Sequence, residues 1–106
     1  MTSLFQPPYF AVIFTSTHHQ LDNNYVGLDD RLMEQANKID GFLGMDSARS
    51  GLGISVSYWK DLESIRTWRQ DAEHILAIEN GISKWYESYS VRVCKVEREY
   101  EFHRSV

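Results

Sequence analysis

The chain has 106 residues, of which 42% are hydrophobic and 25% charged, and only two are prolines. This composition excludes disordered, collagen-like and coiled-coil proteins. The length predicts one domain over residues 1–106, with a core at about residues 9–102. The net charge of −4, without a basic run, excludes a nucleic-acid partner. No apolar stretch approaches a membrane span and Cys94 is the only cysteine, so we expect a cytoplasmic protein with no membrane partner.

The first elements in chain order are a strand and a helix. Residues 9–15, YFAVIFT, are β-branched and aromatic, which predicts a strand with two apolar faces. After a polar loop, apolar residues recur at helical spacing: Tyr25, Leu28, Leu32, Ala36 and Ile39. This pattern indicates an amphipathic helix that ends near Asp40-Gly41.

A hairpin and a second helix follow. Residues 42–48 and 54–59 predict two strands joined by the turn residues RSGLG. Lys60-Asp61 opens a helix that ends near Asn80-Gly81. The apolar side chains of its inner face are Ile65, Trp68, Ala72 and Leu76.

The last strand is predicted to run from residue 89 to about residue 102. Val91 and Val93 lie on one side of its alternation, whereas Val96, Tyr100 and Phe102 lie on the other. We therefore expect a β-bulge near Cys94-Lys95, or a change of packing partner.

The resulting order, β-α-β-β-α-β, predicts a ferredoxin-like α+β sandwich with a four-stranded antiparallel sheet. Two helices can cover only one face of such a sheet. Because the first strand is apolar on both faces, the second face needs another cover, and a second copy of the same sheet supplies it. We therefore expect a homodimer.

Three segments resemble the antibiotic biosynthesis monooxygenase (ABM) family, in particular its small stand-alone bacterial members. They are residues 41–48 (GFLGMDSA), 53–59 (GISVSYW) and 64–74 (SIRTWRQDAEH), and the resemblance extends over about residues 9–100. It implies a dimeric α/β barrel with a pocket between sheet and helices in each subunit. It also implies oxygenation of a small aromatic or quinone-like compound, with molecular oxygen as co-substrate and without metal or flavin.

The heme-degrading branch of that family resembles this chain at Trp68 and His74. That branch also has an asparagine on the first strand, where residues 12–14 of this chain are apolar, and a longer tryptophan-to-histidine spacing. Both departures argue against heme as a cofactor.

Trp68 and His74 are the candidate catalytic residues. Trp68 shares a helical stripe with Ile65 and Ala72, so it is either a core residue or a pocket wall that stacks on a flat substrate. His74 is a candidate acid–base group, because an imidazole side chain can both accept and donate a proton near physiological pH. On an unbroken helix it lies about half a turn from that stripe, facing solvent or the partner subunit, and a kink after Trp68 would turn it inward.

The candidate substrate-binding residues are Phe14, Arg49, Tyr58, Trp59 and Trp85. Tyr58 and Trp59 must face opposite sides of the sheet, so one meets the helices and the other the dimer partner. Arg49 could hold a carboxylate or phenolate, or it is an exposed hairpin residue. No metal site is expected, because His18 and His19 have no other ligand at a recognised spacing.

Two functions besides a cofactor-independent monooxygenase stay open. One is a non-catalytic dimeric protein that binds a small apolar ligand, which the weakness of the catalytic motifs favours. The other is a heme-binding or heme-degrading protein.

Overall fold

A computed structural model describes residues 5–18, 32–50, 52–78 and 86–104 of the chain. The strands are β1 (Tyr9–His18), β2 (Phe42–Ser50), β3 (Leu52–Trp59) and β4 (Tyr86–Val96). Helical residues 32–37 belong to α1, and α2 spans Leu62–Ile78. No helix within these ranges is both long and apolar enough to cross a membrane.

The four strands form one antiparallel sheet in the order β2-β3-β1-β4. This order and the two helices confirm the predicted ferredoxin-like α+β fold. β1 is a central strand, paired with β3 on one side and with β4 on the other. Its NH and CO groups are therefore satisfied along both edges, and its side chains alternate between the two faces of the sheet.

One face, the helix-side face, packs against α1 and α2. On β1 this face carries Phe10, Val12, Phe14 and Ser16. On β3 it carries Gly53, Ser55, Ser57 and Trp59, and on β4 it carries Tyr89, Val91 and Val93. The core lies here: Val12 and Trp59 cluster with Ala36 of α1 and Ile65 of α2. Four partly buried side chains surround this cluster: Phe10, Ile39, Phe42 and Trp68.

The alternate side chains point to the opposite face, the open face, away from the described parts of α1 and α2. Its residues are Tyr9, Ala11, Ile13 and Thr15 of β1, Asp46 of β2, Leu52, Ile54, Val56 and Tyr58 of β3, and Ser88, Ser90, Arg92 and Cys94 of β4. Leu52 and Ile54 remain 51% and 41% exposed. An apolar surface of this kind on a sheet face is a typical protein contact surface.

The last strand differs from its prediction in length and in register. The β1–β4 pairing runs without interruption from Tyr9↔Val96 to Thr17↔Ser88, and the only shift described lies between Thr17 and His18. The expected bulge near Cys94-Lys95 is therefore wrong. β4 ends at Val96, so the later aromatic residues do not belong to its alternation and no slip is needed to explain them.

The start of α2 is fixed by a cap and by a close contact with the β2 end of the sheet. The Asp61 carboxylate accepts a hydrogen bond from the Ser64 backbone NH at 2.8 Å, as an N-cap does. Hydrogen bonds from Ser64 also hold the pKa of Asp61 below its ordinary value. Gly41 lies against the same turn: a Cβ at this position would be 2.6 Å from Ser64 Cβ. Only glycine fits there without a shift of the helix.

We expect the substitution Gly41→Ala to destabilise the fold by about 1–3 kcal/mol, because the new methyl group overlaps Ser64. Denaturant unfolding measures the change. The double variant Gly41→Ala, Ser64→Gly removes the overlapping atoms and should recover part of the loss relative to the sum of the single variants. Strict additivity of the two changes would contradict the proposed contact.

Candidate functional site

Two tryptophans join the sheet to α2 on the helix-side face. Trp59 is completely buried, and its ring lies 5.6 Å from the Trp68 ring and 5.1 Å from the Phe42 ring, edge-on to the latter. Trp59 Nε1 donates to Ser57 Oγ at 2.8 Å, and Trp68 Nε1 donates to the Leu32 carbonyl at 3.3 Å. Each indole NH thus has an acceptor in the space between the sheet and the helices, which we call the layer. These hydrogen bonds fix the orientation of both rings.

Side-chain size falls sharply along β3 from this aromatic cluster toward the hairpin. Trp59 is followed on the same face by Ser57, Ser55 and Gly53, and Ser16 lies opposite Gly53 on β1. Ser16 and Ser57 are only 2% and 4% exposed. Buried hydroxyl groups in an otherwise apolar layer are the convergent polar groups that orient a ligand in most small-molecule sites.

A second aromatic pair lies on the other side of this serine row. The rings of Phe14 and Tyr89 stack with centroids 5.6 Å apart and an interplanar angle of 28°. Next to them on β4, Val91 and Val93 are 50% and 51% exposed although they belong to the helix-side face. The face is therefore closed around Trp59 and more accessible along β4.

The structure brings three of the predicted site residues to this face: Phe14, Trp59 and Trp68. Trp59 meets the helices and Tyr58 does not, as their adjacent positions require. Tyr58 points to the open face, away from the space between sheet and helices, and its substrate-binding role stays a prediction.

His74, Arg49 and Trp85 are not among the side chains described at this face. His74 is exposed on α2, which is continuous from Leu62 to Ile78, so no kink turns its side chain inward. Arg49 is the last residue but one of β2 and pairs with Gly53, a position on the helix-side face, but its side chain lies outside the described part of the structure. Trp85 also lies outside the described residues. The catalytic and binding roles assigned to these residues stay predictions.

Two tyrosines on the open face donate to carboxylates. Tyr9 OH donates to Glu99 at 3.0 Å, and Tyr58 OH donates to Asp46 at 2.9 Å. The second oxygen of Glu99 accepts the Phe5 backbone NH at 2.7 Å. The Phe5 ring packs against both phenol rings, at 5.5 and 6.1 Å. Glu99 therefore ties the segment before β1 to the segment after β4.

Burial raises the pKa of both Tyr9 and Tyr58 to about 12, and the hydrogen bonds to Glu99 and Asp46 add to the effect. The cause is physical: a phenolate would lose its water and would face a carboxylate. Both groups are therefore neutral donors at neutral pH, with a structural role at this end of the sheet.

Sequence patterns did not identify Ser16, Ser57, Asp71 or Glu99. The serines show only as small residues within strand alternation, and the partners of Glu99 are about 90 residues away in the chain. Asp71 is half-buried one turn after Trp68, a position that helical projection alone could have found. Among the described residues, no group of three or more histidine, cysteine or acidic side chains could hold a metal ion.

Comparisons with known proteins agree with this architecture. The chain is 45% identical over 102 residues to YqjZ of Bacillus subtilis (strain 168), an uncharacterised protein, covering 94% of this chain and 90% of YqjZ. It is 34% identical over 92 residues to a jasmonate monooxygenase, ABM, of Pyricularia oryzae, covering 82% of this chain but only 43% of that longer protein. No family model matches the sequence.

Among solved structures, SnoaB of Streptomyces nogalater, a cofactor-independent oxygenase, superimposes with a TM-score of 0.72. The match covers 88% of this chain and 97% of SnoaB at 10% identity, so it shows a shared fold. The fold and the residues between sheet and helices define the class of this chain. It is a ferredoxin-like protein whose interior carries aromatic rings and hydroxyl groups. The chain belongs to the antibiotic biosynthesis monooxygenase family.

The raised tyrosine pKa values predict loss of stability at alkaline pH. In the unfolded chain a tyrosine ionises near 10.0, whereas in the fold Tyr9 and Tyr58 ionise near 12. The stability they contribute is present below pH 10 and is lost as the pH rises toward 12, because the unfolded state releases protons first. We expect a loss on the order of 1–2 kcal/mol for each tyrosine.

Denaturant unfolding at near-neutral and alkaline pH measures this loss. The double variant Tyr9→Phe, Tyr58→Phe should show a smaller difference between the two pH values than the parent protein. Tyr100→Phe is the matched control, since Tyr100 is 85% exposed. An equal pH-dependent loss in all three proteins would exclude the two hydrogen-bonded tyrosines as its source.

Proposed function

We propose that this protein is a cofactor-independent monooxygenase that oxidises a small aromatic or quinone-like compound between the sheet and the helices. One observation carries the proposal: two aromatic pairs, Trp59–Trp68 and Phe14–Tyr89, flank a row of buried serine hydroxyls on one face of the sheet. Such a layer suits a flat ring system that carries oxygen substituents. The relative named a jasmonate monooxygenase and the description of SnoaB as a cofactor-independent oxygenase support the reaction class.

In the proposed chemistry the substrate supplies all four electrons that reduce dioxygen. Once an acidic CH₂ group of an electron-rich ring system loses a proton, the carbanion reduces dioxygen. One oxygen atom becomes the new carbonyl oxygen, and the other leaves as water with the two hydrogens of that carbon. The protein then supplies orientation, exclusion of water and a proton acceptor. The face of Trp68 would hold the ring system in place, with the buried Trp59 packed against it.

Two side chains of α2 are candidates for the proton acceptor. Asp71 is half-buried and follows Trp68 by one turn, whereas His74 is exposed. Neighbours three residues apart lie on adjoining parts of a helix surface, so Asp71 is the better placed of the two toward the layer. We assign the proton transfer to Asp71 in preference to His74.

Oxygen uptake with a panel of phenols, quinols and polycyclic aromatic ketones tests the activity. We expect Asp71→Asn to lower kcat about 10²-fold or more, as loss of a general base does. His74→Ala should change it little, and Glu73→Gln, an exposed acid on the same helix, is the matched control. Trp68→Ala should raise KM.

Three outcomes would contradict parts of this proposal. If His74→Ala abolishes turnover and Asp71→Asn does not, the proton acceptor is assigned incorrectly. Tight binding of panel members without any oxygen uptake would identify a binding protein. A change in the visible absorption band of hemin when the protein is added, compared with free hemin, would favour a heme protein.

The protein proposed here works as a homodimer joined through the open face. Leu52 and Ile54 on this face are about half exposed, with Val56 next on the same strand and Ile13 opposite Val56 on β1. The segment after β4, tied to the sheet through Glu99, carries Tyr100 and Phe102 at 85% and 84% exposure. Two such faces packed together would remove all of these apolar groups from water.

Sedimentation or native mass spectrometry of a charged variant tests the dimer. Ile54→Asp places a carboxylate in the centre of the proposed interface and should yield monomers. Leu62→Asp is the matched control, because Leu62 is equally apolar and 53% exposed but lies at the start of α2. A parent protein that is monomeric, or dissociation only in the Leu62 variant, would contradict the open-face dimer.

A further inference from the structure

Ser57 is a polar side chain at the centre of an apolar layer. It lies on β3, opposite Val12 on β1 and Met45 on β2, and points to the helix-side face with Trp59. It is 4% exposed, so water reaches its hydroxyl group little. Burying a hydroxyl group is unfavourable unless its hydrogen-bonding capacity is used.

Among the described residues, only one accepted hydrogen bond uses that capacity. Ser57 Oγ accepts the Trp59 indole NH at 2.8 Å. A serine hydroxyl also has one proton to donate, and among the described residues no acceptor takes it. A buried donor without an acceptor is destabilising by an amount comparable to a lost hydrogen bond, so such a donor in a native protein needs an explanation.

The indole NH makes this hydroxyl a better donor. Accepting a hydrogen bond draws electron density from the O–H bond, which strengthens the bond that the same group donates. The indole is itself held by Phe42 and Trp68 at ring distances of 5.1 and 5.6 Å. The Ser57 oxygen is therefore held in place by the Trp59 indole NH, while the hydroxyl proton can rotate toward the layer.

We propose that Ser57 is a specificity-determining residue that donates a hydrogen bond to a carbonyl or phenolate oxygen of the ligand. The inference rests on the proposed function and deepens it, because it names the substrate class: a flat aromatic compound that carries a carbonyl or phenolate oxygen on its ring. An aromatic hydrocarbon of the same size fills the layer but leaves the hydroxyl proton unsatisfied. The site therefore distinguishes ligands by the presence of this oxygen and not by the size of the ring system.

Titration calorimetry with two probes, a hydroxynaphthoquinone and naphthalene, tests this role. The parent protein should bind the quinone more tightly than the hydrocarbon. Ser57→Ala should weaken quinone binding about tenfold and leave naphthalene binding unchanged, since one hydrogen bond is lost. Thr67→Ala is the control: it removes an exposed hydroxyl that donates to the Glu63 carbonyl on α2, and should alter neither affinity.

The outcomes separate this inference from the proposed function. Quinone binding that is unchanged in Ser57→Ala, or weakened equally with naphthalene binding, overturns the role of Ser57 while the site itself stands. Failure of the parent protein to bind either probe overturns both the proposed function and this inference.

A second measurement does not depend on Ser57→Ala, which could fold poorly because its indole partner is left without an acceptor. The infrared carbonyl band of the bound quinone should lie at lower frequency than in a hydrocarbon solvent, because a donated hydrogen bond weakens the C=O bond. The Ser57→Thr variant keeps the hydroxyl and should keep the shift. Carbonyl bands that all lie at the hydrocarbon-solvent position would show that no donor reaches the ligand.

Discussion

The contact between Trp59 and α2 is the interaction on which the other features of this fold depend. Trp59 is the last residue of β3 and is completely buried, with the Phe42 ring on one side and the Trp68 ring on another. The burial of one aromatic side chain of this size contributes about 1.5–3 kcal/mol, and its ring pairs add to that. Because the same indole also donates to Ser57, the packing that joins sheet to helix fixes a polar group of the candidate site as well.

The alternation of the strands separates two tasks onto two faces. The helix-side face carries the core and the serine row, whereas the open face carries hydroxyl and carboxylate pairs together with apolar groups. Thr15 and Ser90 share a hydrogen bond at 2.6 Å across β1 and β4, and Thr17 and Ser88 share one at 2.7 Å. Such cross-strand pairs stabilise the β1–β4 edge locally. Since the helices cover only one face, the proposed ligand layer and the proposed subunit contact would lie on opposite faces of one small sheet.

Much of this fold follows from local patterns, and the remainder depends on distant contacts. Alternation alone places Tyr58 and Trp59 on opposite faces, and helical projection places His74 away from the inner stripe of α2, where the structure shows it exposed. The end of β4 could not be predicted, since the residues after Val96 keep an alternating pattern without a pairing partner. The Glu99 contacts join residues from the two ends of the chain, and no local pattern encodes them. Ser57 is one small residue in a strand, and only its burial identifies it.

The position of the acidic groups fits the chemistry proposed for the layer. Asp46 and Glu99 lie on the open face, where each accepts a hydrogen bond from a tyrosine, and both are separated from the serine row by the sheet itself. A carboxylate beside a substrate anion would disfavour that anion, whereas a hydroxyl donor such as Ser57 would favour it. In the proposed mechanism the half-buried Asp71 would take a proton from the substrate without lying beside the negative charge that forms on the substrate oxygen. The separation by the sheet would thus allow the layer to stabilise negative charge on a ligand although the chain as a whole has a net charge of −4.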